Sequence, residues 1–281
     1  MQTPDFLTHR PGRSRLILSL PHTGTDLPDD IAADFVSPWQ ARADTDWWLH
    51  HLYDFAEAQD ITIIRTTISR SVIDVNRDPT GASLYPGMAT TGLCSLTDFD
   101  GNPLYHPGAE PTEAEITRRR TTYYEPYHTL LAAEIARLRT THPHIVLFDA
   151  HSIRSTIPRL FAGELPVCNI GTNDGTSATP TLTAAFAALC AGSEFSHIVN
   201  GRFKGGTITR HYGNPAHGIH AIQLELACRA YIDEPAPITP TNWPTPYDPA
   251  RAAPIRALLQ TLITLCLTHN ITEPSDVPPS R

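Results

Sequence analysis

Lysine is nearly absent from this 281-residue chain, so arginine carries almost all of its 21 basic side chains. Acidic residues number 29, which leaves a net charge of −8. That balance argues against a nucleic-acid binder, because phosphate recognition needs a basic face. The arginine bias suits a bidentate grip on carboxylates, although a GC-rich genome produces the same bias. No apolar run approaches the roughly 20 residues needed to span a bilayer. The opening "MQTPDFLTHRPG" also lacks the apolar stretch and small-residue cleavage site of a signal peptide. A cytoplasmic protein with no membrane and no nucleic-acid partner is therefore expected. Cys94, Cys168, Cys190, Cys228 and Cys266 are widely spaced without any CxxC pair, and read as buried free thiols. GxSxG, GxxxxGK[ST] and GxGxxG are all missing, so neither a serine nucleophile elbow nor a nucleotide phosphate loop has support.

What is present is an alternation of short β-branched or leucine-rich runs with longer helical patterns, as in an α/β sheet covered by helices. The expected strands are "RLILSL" (15–20), "ITIIRTTIS" (61–69), "HIVLFDA" (144–150), "SHIVNGRF" (196–203) and "HAIQLELA" (220–227). Several are apolar on both faces, as strands inside a sheet are. Trp48, Leu52, Phe55 and Ala56 predict an amphipathic helix over about 39–59. A second is predicted from Thr112, in capping-box register with Glu115, to about 141. "PTLTAAFAALCAG", closed by Gly192, gives a third, and "IRALLQTLITLCL" a fourth. Residues 76–111 have no period and many turn formers, so a lid or a wall of a site is expected there. With no repeat and no linker-like change of composition, residues 1–270 read as one domain and residues 271–281 as a loosely ordered tail.

The stretch "IVLFDAHSIR", residues 145–154, begins as a strand fit for burial and ends in Asp149, His151 and Arg154. Charged groups are expensive to bury unless paired or metal-bound, so a strand ending this way points to chemistry. "RLILSL" runs into "PHTG", which places His22 two residues beyond its strand, and "QLELA" sets Glu225 between leucines. Ligands of open α/β sheets sit outside the carboxyl ends of the strands, so His22 and His151 can share one crevice and, with a carboxylate, hold a metal. The plainer use of a strand-end histidine is as a hydrogen-bonded loop residue. In "SRSVIDVNRDP", Arg70, Asp74, Asn76 and Arg77 follow a hydrophobic run. Two guanidiniums beside an amide suit an anionic substrate and the oxyanion of a tetrahedral intermediate, and an Arg–Asp structural pair is the plainer reading. Arg154, Arg159, Arg202, Lys204 and Arg210 are further basic groups in loop-like stretches.

Taken in order, "LPHTG", "ADTDWWLHHLYDFA", "SRSVIDVNRDP", "SLYPG", "TGLC", "FDAHSIRS", "NGRFKGGTITRHYG" and "HAIQLELA" resemble the N-formylglutamate amidohydrolase (deformylase) family over about residues 15–235. The resemblance implies the fold of the related zinc carboxypeptidases and aspartoacylases, α/β with a mixed, mostly parallel sheet flanked by helices on both faces. It implies hydrolysis of N-formyl-L-glutamate to formate and L-glutamate, the last step of one histidine-degradation route. One divalent metal ion, zinc being the expected one, and a small-molecule substrate bearing carboxylates come with it.

By the same resemblance His22 and His151 are metal ligands. The carboxypeptidase pattern HxxE would place an acid at position 25, where this chain has Thr25, so the acidic ligand comes from elsewhere. Asp46 is the choice, with Asp44 and Asp26 as substitutes. Glu225 takes the general-base position and Arg70 faces the oxyanion. Asn76 and Arg77, together with Arg154 or Arg210, pair with the substrate carboxylates. Asp149, on the same strand face as His151, can accept the imidazole's second N–H. Two alternatives stand beside this reading: a zinc-dependent deacylase of another N-acyl amino acid or short peptide, and a non-catalytic dicarboxylate-binding protein.

Overall fold

β-Branched and leucine-rich runs pair as strands, and the face that must be buried fixes their register. The computed structural model describes residues 3–82, 87 and 90–271. Among these, seven strands form one sheet: β1 (Leu7–Arg10), β2 (Leu16–Leu20), β3 (Thr62–Thr66), β4 (Ile145–Ile153), β5 (Cys168–Gly171), β6 (His197–Val199) and β7 (Ile219–Ala227). Their spatial order is β1-β3-β2-β4-β7-β5-β6. Four of the six pairings are parallel; β1–β3 and β5–β7 are antiparallel. The sheet is thus mixed and mostly parallel. The helices are α1 (Asp29–Ala32), α2 (Leu49–Leu52), α3 (Glu113–Arg119), α4 (Glu125–Arg139), α5 (Pro180–Ala191), α6 (Thr207–Tyr212) and α7 (Pro249–Thr268).

Side chains of the central strands divide by parity between two cores. Leu18, Phe148 and Leu224 pack with Phe186 of α5 and Leu259 of α7 on one face. Ile17, Leu147 and Ala221 pack with Tyr127, Leu131 and Leu138 of α4 on the other. Helices therefore cover both faces. Among the described residues α7 is the one helix long and apolar enough to cross a membrane, and its Ile255, Leu259, Leu262 and Ile263 are buried within the protein.

Departures from the sequence expectations have local causes. Residues 39–59 do not form one helix: short 3-10 turns at Gln40–Arg42 and Asp54–Ala58 flank α2, and Trp48 takes φ 61°. The Asp46 N–H donates to the His22 carbonyl at 3.0 Å, so it is lost to any continuous helical ladder. The helix predicted from Thr112 does start there, with Thr112 Oγ1 accepting the Glu115 N–H at 3.3 Å. A π-helical turn at Arg120–Tyr124 then separates α3 from α4, next to Pro126, which has no N–H to return to the preceding turn. "SHIVNGRF" is cut to β6, beyond which Asn200 adopts φ 52°. Sequence periodicity misses β1, β5 and α6, whose four, four and six residues are too few to display one. Of "SLYPG" all but Gly87 lies outside the described residues, as does the tail after Ile271, which itself is buried in the core.

Candidate active site

Beyond the end of α4 the sheet face it covers turns polar. β4 follows Leu147 with Asp149 and His151, and β7 follows Ala221 with Gln223 and Glu225, each set pointing one way by strand alternation. The ladder between them pairs Asp149 with Gln223 and His151 with Glu225. Because β4 continues to Ile153, His151 lies within the strand and not just after it. His22 follows the end of β2, and Asp46 arrives from the segment before α2.

His22 Nδ1 lies 3.1 Å from His151 Nδ1, and Asp46 Oδ2 lies 3.9 Å from the first and 3.3 Å from the second. All three residues are buried. The other ring nitrogens have partners: His22 Nε2 meets Asp74 Oδ1 at 2.7 Å, and His151 Nε2 meets Asp149 Oδ2 at 3.0 Å. A carboxylate accepts only an N–H, so both rings carry their proton on Nε2 and turn an Nδ1 lone pair toward Asp46. Two lone pairs and an anionic oxygen this close demand a positive centre among them, a proton or a metal cation. The two rings titrate in opposite directions. Burial and the Arg70 charge hold His22 below its ordinary value. Burial acts on His151 in the same sense, but the carboxylates of Asp149, Asp46 and Glu225 outweigh it and raise His151 well above.

The donor set fits a divalent cation. Ligand atoms about 2.0–2.1 Å from a tetrahedral zinc stand roughly 3.3 Å from one another, close to the spacing here. Among the described residues Asp46 Oδ1 has no hydrogen-bond partner, the Arg70 guanidinium lying 3.5 Å from it, while Oδ2 accepts the Ser152 N–H at 3.1 Å. Among the described residues this is the group of histidines and acids placed to hold a metal ion. Of the three acids considered, Asp46 alone belongs to it. Asp44 instead accepts the Phe99 N–H at 2.7 Å, and Asp26 pairs through its backbone with Ile68.

The cluster opens into a crevice lined also by Arg70, Asn76, Arg77, Phe99, Arg202 and Glu225. Burial pushes the Glu225 carboxyl up to about 7. Arg70 donates to Asp74 Oδ2 at 2.8 Å and lies 4.8 Å above the Phe99 ring. Burial opposes the Asp74 charge, but His22, Arg77 and Arg70 outweigh it and hold that carboxyl well below the usual range. Arg77 donates to the Thr91 carbonyl and hydroxyl at 3.1 and 2.9 Å. The Asn76 side chain is engaged within the protein, accepting the Ile208 N–H at 2.8 Å and donating to Asp149 Oδ2 at 3.3 Å. Gly206 makes room for it: a Cβ there would sit 2.3 Å from Asn76 Nδ2.

Arg154 and Arg210 are not on this lining. Arg154 has the parity opposite to His151, and it pairs with Asp100 at 2.8 Å and with Asp44 at 3.5 Å. Arg210 donates to the Gly205 carbonyl at 2.8 Å and lines a separate cavity with Asp78, His128 and Tyr212. Arg202 takes a place on the crevice wall, its Nε donating to the Leu160 carbonyl at 2.9 Å. Sequence reasoning names Arg202 only among several basic loop residues, and Phe99 carries no sequence signal.

Fold and crevice together describe a hydrolase of the α/β class, with a carboxyl poised near neutrality beside a cluster able to hold a cation. Comparison with known proteins gives the family. The sequence profile of N-formylglutamate amidohydrolase matches residues 14–232, and the chain belongs to that family. N-formylglutamate deformylase of Pseudomonas aeruginosa is 45% identical over 260 residues, covering 92% of this chain and 96% of the relative. The deformylase of Pseudomonas putida is 42% identical over 262 residues, covering 93% and 95%. Among solved structures, N-formylglutamate amidohydrolase from Ralstonia eutropha JMP134 superposes with a TM-score of 0.72 at 22% identity, covering 93% of this chain and 95% of that one. An Agrobacterium tumefaciens gene product gives 0.69 at 18% identity, covering 93% and 94%. These two likenesses establish the shared fold.

Proposed function

We propose that this chain hydrolyses N-formyl-L-glutamate to formate and L-glutamate, using one divalent metal ion, zinc, held by His22, His151 and Asp46. The convergence of two imidazole Nδ1 atoms on Asp46 Oδ2, on the sheet face that also carries Glu225, is the observation that carries this reading. The deformylases that share more than two fifths of its sequence supply the substrate. When bound, the cation acts as a Lewis acid on the formyl carbonyl and makes the attacking water more acidic. Glu225 accepts a proton from that water as its oxygen bonds to the formyl carbon, and delivers it to the amine as the C–N bond breaks. Arg70 faces the same space and stabilises the oxyanion. Arg77 and Arg202 offer guanidiniums to the two substrate carboxylates, and Asn76 holds their wall against Asp149 and α6. In this reading residues 1–270 are a single catalytic domain acting in the cytoplasm on a small carboxylate substrate.

The test is formate release from N-formyl-L-glutamate by zinc-loaded protein, run beside N-acetyl-L-glutamate. Rapid release from the formyl compound supports the proposal. Turnover of the acetyl compound alone would move the assignment to another N-acyl amino acid, and turnover of neither would reject it.

A further inference from the structure

Behind His151 a line of buried polar atoms leads away from the crevice, along the sheet face that α4 covers, to that helix. Asp149 Oδ2 lies 3.0 Å from His151 Nε2, Ser19 Oγ donates to Asp149 Oδ1 at 2.9 Å, and Tyr127 Oη lies 2.9 Å from Ser19 Oγ. The β2–β4 register sets Ser19 directly opposite Asp149. Tyr127, Ser19 and Asp149 are 0% exposed and His151 2%, so no solvent competes for these bonds. A serine hydroxyl has one proton, and Ser19 gives it to Asp149. Tyr127 must then be the donor to Ser19, and the line has one direction, from helix to strand to strand to imidazole. The surroundings are the apolar core of Ile17, Leu131 and Leu147, where a phenylalanine and an alanine would pack without polar atoms to satisfy.

The line matters because a second group contends for the same nitrogen. Asn76 Nδ2 lies 3.0 Å from His151 Nε2. An amide N–H donates only to a bare nitrogen, so an Asn76 bond would send the ring proton to Nδ1, the atom that faces Asp46 and His22. Asp149 imposes the opposite tautomer, with Nε2 protonated and the Nδ1 lone pair free. Which tautomer prevails depends on how firmly Asp149 keeps its present rotamer.

We propose that Tyr127 and Ser19 are positioning residues that lock Asp149, and through it the metal-binding tautomer of His151. The proposal rests on the metal reading given above. Tyr127 sits on the helix that covers the sheet and touches neither metal nor substrate, so its effect reaches the site only through the two bonds in series.

The experiment measures the zinc dissociation constant by chelator competition for the wild-type chain, Ser19→Ala, Tyr127→Phe and the double variant. A fifth protein, Ser177→Ala, removes a buried hydroxyl that donates to the Ala221 carbonyl at 2.7 Å and has no link to the site. Thermal unfolding of each metal-free protein is recorded alongside. Each single variant is expected to weaken zinc about three- to tenfold, somewhat less than the loss typical of a group bonded directly to a ligand. The double variant is expected to bind no more weakly than Ser19→Ala, because the two hydroxyls act in series. Ser177→Ala is expected to lower the melting temperature and leave zinc affinity unchanged. Unchanged affinity in both single variants, or losses that multiply in the double variant, would overturn the relay while leaving the metal site standing. A wild-type chain that binds no zinc would overturn the metal reading and the relay together.

Discussion

His22, in the turn after β2, and His151, within β4, bring Nδ1 atoms to within 3.1 Å of each other, each with its Nε2 against a carboxylate. Two Nδ1 atoms this close, with Asp46 beside them, hold a positive centre between them, and the proposed site makes it a metal cation. His22→Ala or His151→Ala is therefore expected to leave zinc near zero per chain after dialysis, measured by elemental analysis, against one per chain for the wild type. Chelation of the wild type should also lower its melting temperature, since a ligand held only by the folded state stabilises it by mass action. One tightly held zinc per chain in His22→Ala would reject the ligand set.

Glu225 shares the crevice with the cluster and stands beside His151 in the ladder. Glu225→Gln keeps the shape and removes the proton acceptor. It is expected to retain zinc and to lose at least about 10²-fold in kcat, the lower range for removal of a general base. Formate release measured together with metal content separates this outcome from simple loss of the ion, and near-normal turnover would discharge Glu225 from the role.

How much of this was legible in the sequence follows from how far each signal reaches along the chain. His151, Asp149 and Glu225 lie in nine-residue strands whose apolar runs are visible without coordinates, so Asp149 and His151 could be placed on one face, while the pairing of β4 with β7 that brings Glu225 beside them could not. Asp46 lies in a segment that periodicity casts as helix, and its approach to His22 rests on a backbone bond between distant residues that local spacing does not encode. The choice among Asp44, Asp46 and Asp26 came from family resemblance for that reason. The arginines were the least legible. A guanidinium ends a long, flexible side chain, and whether it faces the crevice is decided by strand parity for Arg154 and by the loop before α6 for Arg202, neither of which composition reveals.

The arginine placement makes a graded prediction. Arg77→Ala and Arg202→Ala, both on the crevice wall, are expected to raise KM for N-formyl-L-glutamate at least about tenfold each through loss of a charge-assisted contact. Arg210→Ala, on a separate cavity, is expected to change it less than about twofold. Steady-state kinetics on the three variants checks the order, and an Arg210 effect equal to that of Arg77 would place the substrate differently.

Stability at acid pH can be tested at the opposite end of the sheet. His220, buried at the start of β7, is held down to about 4 by burial, with the charges of His144, Arg15 and Arg139 acting the same way. Between 6.5 and about 4 the unfolded chain binds a proton here that the folded chain refuses. The contribution of His220 is thus complete above pH 6.5 and is lost as pH falls toward 4. Within that window one such group steepens the dependence by up to about 1.4 kcal/mol per pH unit. Chemical unfolding of His220→Leu at several pH values should show a slope shallower by about one proton. An unchanged slope would assign the acid sensitivity to other groups.

The bonds between β4 and β7 set His151 beside Glu225 in the ladder, while residues 154–218 run between the two strands and return β5 to the other side of β7, with Asn169 opposite Glu225. That excursion carries Leu160, Arg202 and Phe203, which wall the crevice, and it turns at Gly163 and Gly175, where the space around the α-carbon is open. Insertions at those two turns can reshape the crevice wall without disturbing the pairing of His151 with Glu225. A lineage built on this sheet is free to change its diet while keeping its teeth.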